Sequence, residues 1–240
     1  HETTHMTLDR FGCLMAFMLL ISLSAEVAYA DSLEVALVKA APDANAKVIA
    51  LAVHASQCRR AQGESPAQRL AVIDYSLPST EQRLWVFDLQ RRTLLFHELV
   101  AHGRNSGENM ARQFSNQNQS MATSLGLYRT RATYLGHNGY SLRMEGLEPG
   151  FNDNALDRAI VIHGAPYVSG DLARSNGRIG RSLGCPAVRP AIAHQLIDSM
   201  KDGQLLFSYY PDPRWLNSSL FINCDNATVA EASKPVRTFQ

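Results

Sequence analysis

The sequence predicts a mainly β (α+β) domain with a short helical extension in front of it. Two observations carry that prediction. The hydrophobic period changes from helix-like to strand-like at Arg69. Beyond it, apolar runs are short, rich in β-branched and aromatic residues, and divided by Pro, Gly, Asn and Ser.

Taken in order, Leu33, Val35, Ala36, Leu37, Val38 and Ala40 precede Pro42, and Val48, Ile49, Leu51, Ala52, Val53 and Ala55 recur up to Gly63, which predicts two helices. Leu70–Tyr75, Arg83–Asp88 and Thr93–Ala101 read as strands, separated by Pro78-Ser79 and by Gln90-Arg91-Arg92. Gly103–Gly107 and Asn116–Ser120 are loop signals. Ser124–Tyr128, Tyr140–Met144 and the apolar run Ala159–Ile162 supply further strands, Pro190–Met200 a helix, and Gly203–Tyr210 a closing strand. From Pro211 the chain is polar and reads as a loosely attached tail.

A chain of 240 residues has ample length for one domain with a core of its own. Its formal charge of +1, with no long basic run, excludes a nucleic-acid partner on electrostatic grounds. Residues 1–5 read as tag or cloning residues. Met6 to Ala30 has the three parts of a signal peptide: Arg10, the apolar run Phe11–Leu23, and Ala28-Tyr29-Ala30 as the cleavage site. Thirteen strongly apolar residues are too few to span a bilayer, so no membrane anchor is expected after cleavage. Residues 31–68 are the helical extension, 69–210 the main domain and 211–240 the tail. Export suits the cysteines. Without Cys13, the chain keeps Cys58, Cys185 and Cys224, and an odd number implies a free thiol or an intermolecular bond. Cys58 and Cys224 are able to tie the two ends of the domain together, although spacing alone gives no Cα separation.

His1-Glu2-Thr3-Thr4-His5 matches the zincin pattern literally, but it lies ahead of the signal peptide, where no helix face is expected. His97-Glu98 with His102 is spaced one residue too long and falls in a strand. No metal ligand set and no cofactor are expected.

The most informative stretch is Ile160–Val188. A buried strand delivers His163 at its end, followed by Gly164. Twenty-two residues after His163, past a polar loop, comes Cys185, between Gly184 and Pro186. A cysteine in a tight turn, approached by a strand-end imidazole, is what cysteine acyl transfer requires: the thiolate attacks and the imidazole generates it. Gly184 permits close approach of a carbonyl, and the Gly184 and Cys185 amides are candidate oxyanion donors.

The stretch resembles the catalytic motif of the L,D-transpeptidase (YkuD-type) family of bacterial cell-wall enzymes, a His followed by Ser/Thr-His-Gly-Cys. His163, Ser182, Gly184 and Cys185 match, and Leu183 replaces the second histidine. The GCPAV wording is similar to a divergent murein L,D-transpeptidase subfamily, and Leu125-Gly126-Leu127-Tyr128 to the family's Pro-x-Gly-x-aromatic element. The resemblance implies a YkuD-type β-sandwich or barrel. It implies that Cys185 attacks the third residue of a peptidoglycan stem, releases D-Ala, forms a thioester and passes the acyl group to an amine in a 3→3 cross-link. His163 is the base, the Gly164 carbonyl orients its ring, and a carbapenem should acylate the thiol. Ser182 shapes the turn. Arg189, Arg181 and Arg178 are candidate grips for stem carboxylates, since Arg binds carboxylates through two parallel bonds, and Tyr167 a candidate groove wall. Alternatives with the same acyl-enzyme are an L,D-carboxypeptidase or endopeptidase using water and an enzyme acting on a wall-linked protein; a catalytically silent wall-binding module is a third. The acceptor and the oligomeric state are left open.

Overall fold

The computed structural model describes residues 33–224. The expected tag and signal peptide, and the last part of the expected tail, lie outside the described residues. Residues 33–40 belong to α1, which ends ahead of Pro42. Helix α2 (Ala46–Ala61) is capped by Asn45, whose side chain accepts the Lys47 amide at 3.0 Å.

Eight strands form one sheet: β1 (Arg69–Asp74), β2 (Leu84–Asp88), β3 (Thr93–Glu98), β4 (Gly126–Gly136), β5 (Gly139–Gly146), β6 (Val161–Gly164), β7 (Ala187–Val188) and β8 (Leu205–Tyr209). Their order is β3-β2-β1-β8-β4-β5-β6-β7. The β1–β8 and β6–β7 pairs are parallel and the rest antiparallel. Beyond β3, the Ala101 amide donates to the Ala187 carbonyl at 2.9 Å, so the two ends of the sheet meet and the barrel is nearly closed.

Alternation along the central strands divides the core in two. Leu70 and Val72 of β1, Trp85 and Phe87 of β2, and Phe207 of β8 face one cluster with α1, α2 and Trp215. Ala71, Ile73, Val86 and Leu206 face the other, with β5, β6 and helix α4 (Pro190–Met200). Both faces are covered, which is why β1, β2 and β8 are nearly continuous apolar runs.

Four features differ from the sequence reading or complete it. The loop between the histidine and the cysteine contains a short helix, α3 (Gly170–Asn176), started by Ser169, whose hydroxyl accepts the Leu172 amide, and stopped by Gly177 at φ 66°. β4 and β5 are longer than expected and form a hairpin about His137-Asn138; its outer half is solvated, so Arg129, Arg131 and Thr133 hide the strand in the sequence. The tail is not loose up to residue 224. Helix α5 (Pro213–Ser218) buries Trp215 completely and donates its indole N–H to buried Glu148 at 3.0 Å. Cys58 and Cys224 are joined by a disulfide, Cα atoms 6.1 Å apart, which fastens α2 to the chain beyond α5. Among the described residues, no helix is long and apolar enough to cross a membrane.

Candidate active site

β6 is held by its neighbour β5, with Leu142 opposite Ile162 and Ser141 opposite His163. Ile160, Val161 and Ile162 are buried, so the strand end that carries His163 is fixed by packing. The ring's Nδ1–H donates to the Gly164 carbonyl at 2.9 Å, which leaves Nε2 with its lone pair. Burial lowers the His163 pKa below the ordinary imidazole value, keeping the ring neutral. Gly164 has to be glycine: a Cβ there would lie 2.9 Å from Ala193 Cβ on α4.

Cys185 reaches the same place from the other side. Ala187 pairs with His163 in parallel register, so the cysteine enters two residues ahead of that pair. The Ser182 hydroxyl accepts the Gly184 amide at 3.0 Å and donates to the Cys185 carbonyl at 2.6 Å, closing the turn on itself. Gly184 sits at φ 123°, and a Cβ would lie 3.0 Å from the Ala122 carbonyl, so no other residue fits without strain.

This bonding corrects one expectation. The Gly184 amide is engaged by Ser182 and is not a free oxyanion donor, whereas no hydrogen bond engages the Cys185 amide among the described residues. Nor does a hydrogen bond join Cys185 to His163. Cys185 is 8% exposed, and its thiol donates to the Ala159 carbonyl at 3.7 Å. Burial raises its pKa above the ordinary thiol value.

Sequence reasoning missed the polar layer beneath the turn. Arg83 is fully buried at the head of β2. It donates to the Val100 and Leu77 carbonyls and, at 2.7 Å, to His102 Nδ1, and lies 5.1 Å from the centre of the Tyr75 ring. That bond makes Nε2 of His102 the protonated nitrogen, donating to the Gly107 carbonyl at 3.2 Å. Burial and the Arg83 charge hold the His102 pKa down to about 4. The His102 carbonyl in turn accepts the Ser182 amide at 2.9 Å, so the layer supports the cysteine turn directly. A basic residue heading an otherwise apolar strand was the available signal.

The expected carboxylate grips are all engaged. Arg189 holds Glu98 through two bonds, of 2.8 and 2.6 Å, which corrects its expected place as a free fork. Arg181 and Arg178 share Glu108, at 2.6 and 3.1 Å. Tyr167 is half-buried over Gly180, and burial pushes its hydroxyl up to about 12. Tyr140 stacks on His194 of α4 and donates its hydroxyl to Asp198 at 2.8 Å. Leu183, in the position of the family's second histidine, is 57% exposed. Among the described residues, no group of three or more His, Cys, Asp or Glu side chains is arranged to hold a metal ion.

The family model described as the L,D-transpeptidase catalytic domain, YkuD_2, matches residues 40–209. No curated protein matches the chain. Solved structures similar to it include an L,D-transpeptidase from Mycobacterium smegmatis, 15% identical, with a TM-score of 0.38, 60% of this chain and 59% of the other being covered. The helical cell shape determining protein Pgp2 from Campylobacter jejuni is 12% identical, TM-score 0.39, covering 68% and 55%. An L,D-transpeptidase from Stackebrandtia nassauensis is 15% identical, TM-score 0.35, covering 77% and 92%. The chain thus spans about three fifths of the first of these structures.

Proposed function

This chain belongs to the L,D-transpeptidase catalytic-domain family, and from that premise we propose that it is an exported cysteine acyltransferase acting on peptidoglycan stem peptides. The observation that carries the reading is the Nδ1–H bond from His163 to the Gly164 carbonyl. It orients a neutral imidazole with Nε2 free, beside the strand that Cys185 enters.

In this mechanism Cys185 turns from the Ala159 carbonyl toward His163 when a stem occupies the site. Nε2 takes the thiol proton and Sγ attacks the carbonyl of the third stem residue, a diamino acid. The Cys185 amide donates to the oxyanion that forms. The C–N bond to D-alanine breaks, His163 protonates the departing amine, and a thioester remains. An acceptor amine from a neighbouring stem then attacks, gives its proton back to Nε2 and displaces the thiolate, leaving a 3→3 cross-link. A neutral base beside a neutral thiol makes this general-base activation, with no standing ion pair between the two.

Arg178 and Arg181 are the candidate grips for stem carboxylates. Their shared partner Glu108 is exposed, and such pairs contribute only about 0–1 kcal/mol, so a substrate carboxylate can displace it. Tyr167 forms one wall. Gly164, Ser182 and Gly184 act by holding the histidine and the turn.

The test is intact-mass spectrometry with a disaccharide-tetrapeptide, and separately with a carbapenem, on wild type and Cys185→Ala. The expected result is a thioester, a 3→3 dimer and a carbapenem adduct in wild type alone. Tripeptide without dimer assigns water as the acceptor and an L,D-carboxypeptidase. No adduct or turnover in either protein identifies a silent wall-binding module.

A further inference from the structure

Arg158, in the turn leading into β6, has no part in the mechanism above. Its Nη1 donates to the Ser115 carbonyl at 2.7 Å and to the Ser124 hydroxyl, and its Nη2 to the Ser120 hydroxyl at 3.1 Å and the Ala122 carbonyl at 2.6 Å. All four hydrogens of the two terminal nitrogens are therefore engaged by neutral oxygens of the 115–124 segment. That rules out a fork that grips substrate. It also leaves the charge itself unmatched, since Arg158 makes no ion pair among the described residues.

The charge lies against the cysteine turn. A Cβ on Gly184 would be 3.3 Å from Arg158 Nη2 and 3.0 Å from the Ala122 carbonyl that Nη2 holds. The next residue, Ala159, offers the carbonyl to which the Cys185 thiol donates, and does so from a left-handed backbone at φ 53°. A non-glycine residue is strained there, and the surrounding turn sustains it through bonds from the Ala159 amide to Leu156 and from the Ile160 amide to Ala155.

We propose that Arg158 is a positioning residue for the nucleophile: held in place by its four bonds, its unpaired charge stabilises the Cys185 sulfur as thiolate. The inference rests on the reading of Cys185 as nucleophile. Other ionisable groups near the turn are Tyr75 and Tyr167, both neutral at pH 7, and His163 on the neighbouring strand, neutral by burial; Arg83 lies behind Tyr75. Arg158 is the cation placed against the Gly184–Cys185 turn, and its attraction for an anionic sulfur opposes the effect of burial. A cation held in place without a carboxylate partner stabilises whichever anion forms beside it.

The test is the pH dependence of Cys185 alkylation by iodoacetamide, followed at that residue by peptide mass, in wild type, Arg158→Lys and Arg158→Gln, with thermal unfolding alongside. Arg158→Gln is expected to move the midpoint up by about one unit and to slow alkylation at pH 7 about tenfold. Arg158→Lys keeps the charge, loses the fork, and is expected to keep the wild-type midpoint. Equal midpoints in wild type and a folded Arg158→Gln overturn the proposal. Should Arg158→Gln not fold, a raised midpoint in Arg158→Lys overturns it, because only geometry has then been lost. The assay needs no stem peptide, so failure of the transpeptidase reading appears separately, as normal alkylation without acyl-enzyme.

Discussion

Replacing Gly164 by alanine tests the link between helix packing and His163, the proposed base. The added Cβ would lie 2.9 Å from Ala193 Cβ and 3.4 Å from Pro190 Cα. Carbon–carbon contacts are optimal at about 3.5–4.0 Å, so α4 and β6 must separate by roughly 0.6–1 Å. Overpacking on this scale costs about 1–3 kcal/mol. The same peptide unit supplies the carbonyl that orients His163, and a misplacement of about 1 Å at a reacting group costs on the order of a hundredfold in rate. The assays are urea unfolding and the second-order rate of carbapenem acylation, read by intact mass. Gly139→Ala is the control: it sits at φ 75° in open space at the far hairpin, and is expected to lose about 1 kcal/mol of stability with acylation unchanged. Wild-type stability and acylation in Gly164→Ala would refute the reasoning, as would an equal loss of acylation in the control.

Trp215→Ala is expected to destabilise by about 3–5 kcal/mol in urea, because a fully buried indole and its bond to Glu148 are lost together; a change under about 1 kcal/mol would mean that α5 is loosely attached after all. Reduction of Cys58–Cys224, which closes a sequence separation of 166, is expected to lower the unfolding free energy by about 3–5 kcal/mol, checked by urea midpoints with and without dithiothreitol. His102 has a folded pKa of about 4 against the ordinary 6.5, so the unfolded chain takes the proton first. Its stabilising contribution is complete above pH 6.5 and fades as pH falls toward 4, by about 3 kcal/mol in all. An NMR titration in which His102 protonates near pH 6.5, or stability that stays flat over that window, contradicts the assignment.

The sequence by itself determined the class of fold, the places of most strands along the chain, and the setting of His163 at a strand end and Cys185 in a turn. Each is written in local pattern: continuous apolar runs for strands buried on both faces, and Gly184 and Pro186 enforcing a turn on either side of the cysteine. Helix α4 was legible because Pro190 opens an amphipathic run. The solvated half of the β4–β5 hairpin and α5 were not, since the first is exposed on both faces and the second gains its stability from contacts made by Trp215.

Only the tertiary structure decided which polar groups are already engaged. Arg189 reads as a free fork until Glu98 is brought beside it from a position 91 residues away. The Gly184 amide reads as an oxyanion donor until Ser182 folds back to claim it, and Arg158 is featureless until the 115–124 loop closes over it. Sequence patterns record burial period and turn chemistry, which act over a few residues. The partner of a buried or half-buried charge is chosen by chain closure, and this nearly closed barrel brings segments from both ends of the sheet to the same point.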